Sequence, residues 1–195
     1  MADSKLALKG SSKIVCDYFE FSINNILFQR GIYPADDFQT VKKYDLPLLV
    51  TIDEDIKNYI NQFLSQIKRW VYGTKLQKLI LVIIDKQTAE PVERWEFNLE
   101  VVEGDNQSEK SRDAIKKEIQ AIIRQITSSA TYLPVLDGEF TFNILVYTEQ
   151  DVNNIPSEWC DTQDEKLGDQ FESVDFSTFK TSLHSIGTKV SYKID

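Results

Sequence analysis

Leu76-Gln77-Lys78-Leu79-Ile80-Leu81-Val82-Ile83-Ile84-Asp85 is followed, after the polar turn Lys86–Pro91, by Val92-Glu93-Arg94-Trp95-Glu96-Phe97-Asn98-Leu99-Glu100-Val101. Successive side chains of a strand point to opposite faces, so the six aliphatics Leu79–Ile84 predict a strand buried on both sides. The second segment alternates: Trp95, Phe97, Leu99 and Val101 share one face, and Arg94, Glu96, Asn98 and Glu100 the other. That is the pattern of a half-buried strand, and the short connection makes the two an antiparallel hairpin.

Helical periodicity surrounds this hairpin. Ser11 and Ser12 are candidate N-caps for a helix over about 12–29, with Val15, Phe19, Ile23, Ile26 and Arg30 at helical spacing and Gly31 and Pro34 ending it. Ile56, Tyr59, Ile60, Phe63, Leu64, Ile67, Trp70 and Val71 predict a second helix. Thr51 or Asp53 caps it, Glu54 and Asp55 sit on its positive end, and Gly73 closes it. Ile115, Ile119, Ile122, Ile123 and Ile126 predict a third helix over about 112–127, after a polar loop at Glu103–Ser111. Asp137-Gly138 marks a turn, and Phe140–Thr148 reads as another strand. The expected class is α+β, with three helices on one face of a mainly antiparallel sheet.

The end of the chain has a different character. Glu149–Asp175 holds nine acids and one base, nearly the whole net charge of −9. Beyond it Val190, Tyr192 and Ile194 alternate with Lys189, Ser191 and Lys193. An amphipathic strand on a long acidic tether must pair with something distant in sequence.

Composition narrows the function. The 195 residues are 42% hydrophobic, enough for one domain with a real core. The negative charge is a poor footprint for nucleic acid or an anionic membrane, and no apolar run approaches the roughly twenty residues of a span. Cys16 and Cys160 are isolated, and neither a signal peptide nor a disulfide framework is expected, which suggests a reduced compartment. The single histidine, His184, has no carboxylate beside it, and phosphate-binding glycine motifs and metal-ligand spacings are missing from the sequence. No catalytic residue, metal ligand or cofactor is expected. A strand edge next to a long tether suits a module that accepts a peptide as an added strand.

Four ordered motifs carry a resemblance: Phe28-Gln29-Arg30-Gly31-Ile32-Tyr33-Pro34; Arg94-Trp95-Glu96-Phe97; Arg124-Gln125-Ile126-Thr127 with Tyr132-Leu133-Pro134; and Ser177-Thr178-Phe179 through His184 to Val190-Ser191-Tyr192-Lys193-Ile194. From about Leu6 to Ile194 the chain resembles the HORMA-domain family, in particular its spindle-assembly-checkpoint branch. The resemblance implies a single domain over 1–195, with a core over about 11–148 and a mobile C-terminal "safety belt" over about 149–195. It implies a non-enzymatic regulator that delays anaphase. Its ligands would be short motifs of two proteins: the mitotic coactivator of the anaphase-promoting complex and a kinetochore checkpoint coiled-coil protein. Sibling adaptors of translesion DNA synthesis or meiotic chromosome axes are the alternative.

The resemblance further implies two states. In the open one the C-terminal hairpin covers the ligand edge. In the closed one it moves across the sheet, displacing an N-terminal strand near Leu6–Leu8. It places ligand contacts at Tyr59, at Thr141, Phe142, Asn143, Ile144, Leu145, Val146 and Tyr147, and at Trp159, Val190 and Tyr192. Arg124, Gln125 and Tyr132 correspond to a dimerisation surface, and Thr188 to a phosphorylation position. Nucleus, kinetochore and cytoplasm are the expected locations. The 103–111 loop is shorter than in many relatives, which suggests slower conversion.

Overall fold

The computed structural model describes residues 2–102, 110–152 and 155–194, with the side chains of residues 2–6 left aside. The short-loop expectation at 103–111 lies almost entirely outside the described residues. Three helices, α1 (Ala2–Gln29), α2 (Glu54–Tyr72) and α3 (Arg112–Ser129), accompany a hairpin, β1 (Phe38–Lys43) and β2 (Leu46–Thr51), and a main sheet. The main sheet contains β3 (Leu76–Asp85), β4 (Pro91–Val101), β5 (Phe140–Thr148), β6 (Phe171–Asp175), β7 (Phe179–Lys180) and β8 (His184–Lys193). Its order is β5-β3-β4-β8-β6, with β7 also paired to β8, and every pairing is antiparallel.

The β3–β4 hairpin forms at the center of the sheet as its alternation predicts, with Leu81 opposite Trp95 and Leu79 opposite Phe97. Leu79, Leu81, Ile83, Trp95, Phe97 and Leu99 join the helices in one core. Ile80, Val82 and Leu145 form a second cluster on the opposite face of the sheet. Leu79–Ile83 are fully buried, so both faces of β3 are covered. Each such aliphatic contributes about 1.5–3 kcal/mol.

Helix ends follow their caps. Asp53 accepts from the N–H groups of Asp55 and Ile56 at 2.9 and 3.0 Å and starts α2. Gly31, at φ +63°, ends α1: its N–H reaches the Phe28 carbonyl and that of Ile32 reaches Leu27, a paired closure that favours glycine.

One expectation is corrected. Helix α1 begins at Ala2 and not near residue 12. Ser11 is interior to it, because its hydroxyl is engaged by Thr181 and His184 at 2.5 and 2.6 Å and is not needed as a cap. Leu6–Leu8 are helical, and β8 pairs with β4 along Glu93–Val101. The β1–β2 hairpin was not expected. Its turn uses Tyr44 and Asp45, both at φ +52°, without the glycine that usually signals it.

Candidate functional site

Strand β5 is one edge of the sheet. It pairs with β3 on one side and, among the described residues, with no strand on the other. Ile144 shows what this edge offers. Its N–H is met by the side-chain oxygen of Asn143 at 2.9 Å and not by a neighbouring strand. Alternate residues of β5 therefore present backbone groups outward.

The chain after β5 turns back over this edge. Lys75 grips Asp151 at 2.6 Å, and Gln77 donates to Glu149 at 2.8 Å. Trp159 packs edge-on against Trp70 of α2, with ring centroids 5.0 Å apart. Between this strap and the edge lie two adjoining cavities of about 310 and 300 Å³. Both are lined by Ile144, Leu145, Trp159, Cys160 and Thr162. Tyr59, Phe63 and Asn143 are among the further residues of the first, and Trp70, Val146, Tyr147 and Asp164 among those of the second. The result is one slot with an exposed strand edge for a floor, an aromatic wall and an acidic strap.

Past the slot the strap crosses the sheet face opposite the helices. Arg94 Nη1 donates to Asp164 at 2.7 Å and to the Glu165 carbonyl at 2.8 Å, and Asn143 donates to Glu165 at 3.0 Å. The strap then enters β6, and β8 follows between β6 and β4.

Tyr59, Asn143, Ile144, Leu145, Val146, Tyr147 and Trp159 are thus brought together around one slot. Thr141 and Phe142 extend the same strand, with Phe142 packed against Tyr59 and Tyr33. Val190 and Tyr192, expected beside the ligand or holding the belt over it, do not line the slot. They sit on β8, separated from β5 by β4 and β3, with Val190 opposite Trp95 and Val174. Tyr192 donates to Glu172 at 2.8 Å, and the nearby carboxylate pushes its phenol pKa up.

Thr188 lies in the interior. It is buried, and its hydroxyl shares a 2.7 Å hydrogen bond with Tyr18 of α1, so a kinase could reach it only after β8 detaches. Arg124 and Tyr132 are exposed away from the slot. Gln125 exchanges two hydrogen bonds with Ser177, at 3.0 and 2.9 Å, which ties α3 to the end of the strap.

Sequence reasoning missed Arg94 as a strap contact and Arg30 as half of a buried ion pair. Arg30 binds Glu93 at 2.9 Å and donates to the Pro134 carbonyl at 2.6 Å. The signal for both was a charge inside an otherwise apolar motif. His184 is fully buried, and desolvation lowers its pKa. Among the described residues no group of ligating side chains could hold a metal, and no described helix is long and apolar enough to cross a membrane.

The arrangement is an open sheet edge facing a strapped slot. Residues 11–184 match the HORMA domain family. The chain is 45% identical over 197 residues to the "Mitotic spindle checkpoint component mad2" of Schizosaccharomyces pombe, covering 98% of this chain and 96% of that protein. It is 47% identical over 193 residues to the component MAD2 of Saccharomyces cerevisiae, covering 96% and 97%. A chain in a solved structure titled "Crystal Structure of Mitotic Checkpoint Complex" superposes with a TM-score of 0.88 at 46% identity, over 95% of this chain and 99% of that one. The chain belongs to the HORMA-domain family and is a relative of the Mad2 checkpoint components.

Proposed function

We propose that this protein is a spindle-checkpoint regulator that clasps a short peptide by adding it as a strand to β5 and closing residues 149–194 over it. The unpaired β5 edge beneath the strap is the observation that carries this reading. Backbone hydrogen bonds from the edge supply affinity, and the alternating walls of the slot supply selectivity. The strand order, with β8 beside β4 and Leu6–Leu8 helical, fits the closed state that the family resemblance describes. The ligands are motifs of the mitotic coactivator of the anaphase-promoting complex and of the kinetochore coiled-coil checkpoint protein. The acidic strap favours a basic residue in them. A second copy docks on the exposed Arg124 and Tyr132 surface, and the protein works at kinetochores, in the nucleus and in the cytoplasm. It acts by binding and not by catalysis.

The test is a titration with a synthetic peptide carrying a basic residue, a short hydrophobic run and a downstream proline, combined with hydrogen exchange. Slow dissociation is expected, with new protection of the Ile144 amide and loss of binding when the chain is cut before Lys189. Binding without protection in β5 would overturn the strand-addition reading.

A further inference from the structure

Two links tie the strap to the sheet at the rim of the slot, and both act at one point of the chain. Arg94 holds Asp164 and the carbonyl of Glu165, and Asn143 holds the Glu165 carboxylate. Arg94 belongs to β4, two strands away from the ligand edge, opposite Val82 and Ser191. Its side chain is only 9% exposed, so its hydrogen bonds are made largely out of water. Glu96 has two further cations: Lys78 and Lys189 lie 3.3 and 3.8 Å from that carboxylate, and Arg94 stands at 3.4 Å. The guanidinium is divided, with Nη2 toward Glu96 and Nη1 giving both of its hydrogen bonds to the strap.

We infer that Arg94 is the buckle of the clasp: a positioning residue that sets how long a bound peptide stays without touching it. This rests on the strand-addition reading above. A peptide lying between β5 and the strap escapes when the strap lifts. Lifting it over the sheet requires both Arg94 hydrogen bonds to break together. Entry takes place while the strap is already raised, so the buckle has little influence on it. The prediction is a separation of rates: dissociation depends on Arg94, and association does not.

The experiment uses the full chain and the same synthetic peptide, with association and dissociation measured separately. Arg94→Met keeps the side-chain length and leaves Glu96 with its two lysines. Dissociation is expected to quicken about ten- to a hundredfold, the scale of losing charge-assisted hydrogen bonds, with association changed less than about threefold. Asp164→Asn removes the partner's charge and is expected to act in the same direction. Adding it to Arg94→Met is expected to bring little further change, because both act on one contact. Asp164→Asn is solvent-facing enough to keep the test open if Arg94→Met fails to fold. If the wild-type chain does not retain the peptide, the strand-addition reading falls. If it does, and Arg94→Met or Asp164→Asn releases the peptide at the wild-type rate, the clasp stands and the buckle is refuted. Additive effects of the two substitutions would also refute it.

Discussion

Replacing Arg30 by methionine tests how the core is held in register beneath the slot. Arg30 follows α1, and its side chain is 5% exposed; the Glu93 side chain on β4 is 1% exposed. Arg30 Nε donates to both Glu93 oxygens at 3.1 and 3.0 Å, and Nη2 reaches the Pro134 carbonyl in the segment leading to β5. Trp95 Nε1 donates to the same carboxylate at 2.6 Å. Three parts of the chain therefore meet at one buried charge pair. Removing the cation strands a carboxylate away from water, which costs about 3–5 kcal/mol. For a chain of this size that lowers the melting midpoint by about 6–20 °C.

The double variant Arg30→Met/Glu93→Gln separates charge from packing. Glutamine still offers Trp95 an oxygen but leaves no unpaired charge. Urea unfolding is expected to recover at least about 2 kcal/mol of the Arg30→Met loss. Burial already holds the Glu93 carboxyl above the usual range, against the pull of Arg30. Without Arg30 it rises further, so the folded state binds its proton more readily than the unfolded one. The deficit of Arg30→Met must then narrow as pH falls towards about 5, where protonation removes the buried charge. A cost below about 1 kcal/mol, or a double variant no more stable than the single, would refute the account.

Trp159→Ala is expected to reduce stability by roughly 1–2 kcal/mol through loss of its pairing with Trp70, and to speed peptide release. Urea unfolding with dissociation kinetics checks it, and unchanged values for both would show that Trp159 holds nothing. Thr188→Val leaves the buried Tyr18 hydroxyl without its partner and should cost about 1–3 kcal/mol; an equally stable variant would show that this hydrogen bond is not needed. Burial disfavours the charged form of His184, so desolvation lowers its pKa from the ordinary value near 6.5. The unfolded chain therefore binds a proton more readily, and the histidine's contribution to stability is lost as pH falls below about 6.5. His184→Gln should flatten that part of the wild-type profile, and parallel profiles would contradict it.

Much of the architecture could be read along the chain. The limits of β3, β5 and α2 follow from alternation, helical spacing and the Asp53 and Gly73 signals, because each depends on neighbours within a few residues. The slot residues on β5, with Tyr59 and Trp159, were reached through family motifs and not through periodicity, which assigns Tyr59 simply to a helix stripe. The extent of α1 was not legible. Ser11 and Ser12 look like a helix start until Thr181 and His184, some 170 residues later, satisfy Ser11 within the helix.

The alternation of Val190 and Tyr192 was enough to predict a strand, and the acidic run before it a tether. Which strand it would join was a separate matter. A row of outward N–H and C=O groups can pair with either open side of a sheet, and the local pattern does not distinguish them. Long-range contacts make the choice here: Tyr18 with Thr188, Ser11 with His184, and Arg94 with Asp164. They place β8 beside β4, leave β5 open and bury Thr188. Strand identity arises from local sterics and hydrophobic spacing, whereas strand partnership arises from side chains that meet only after the chain has folded.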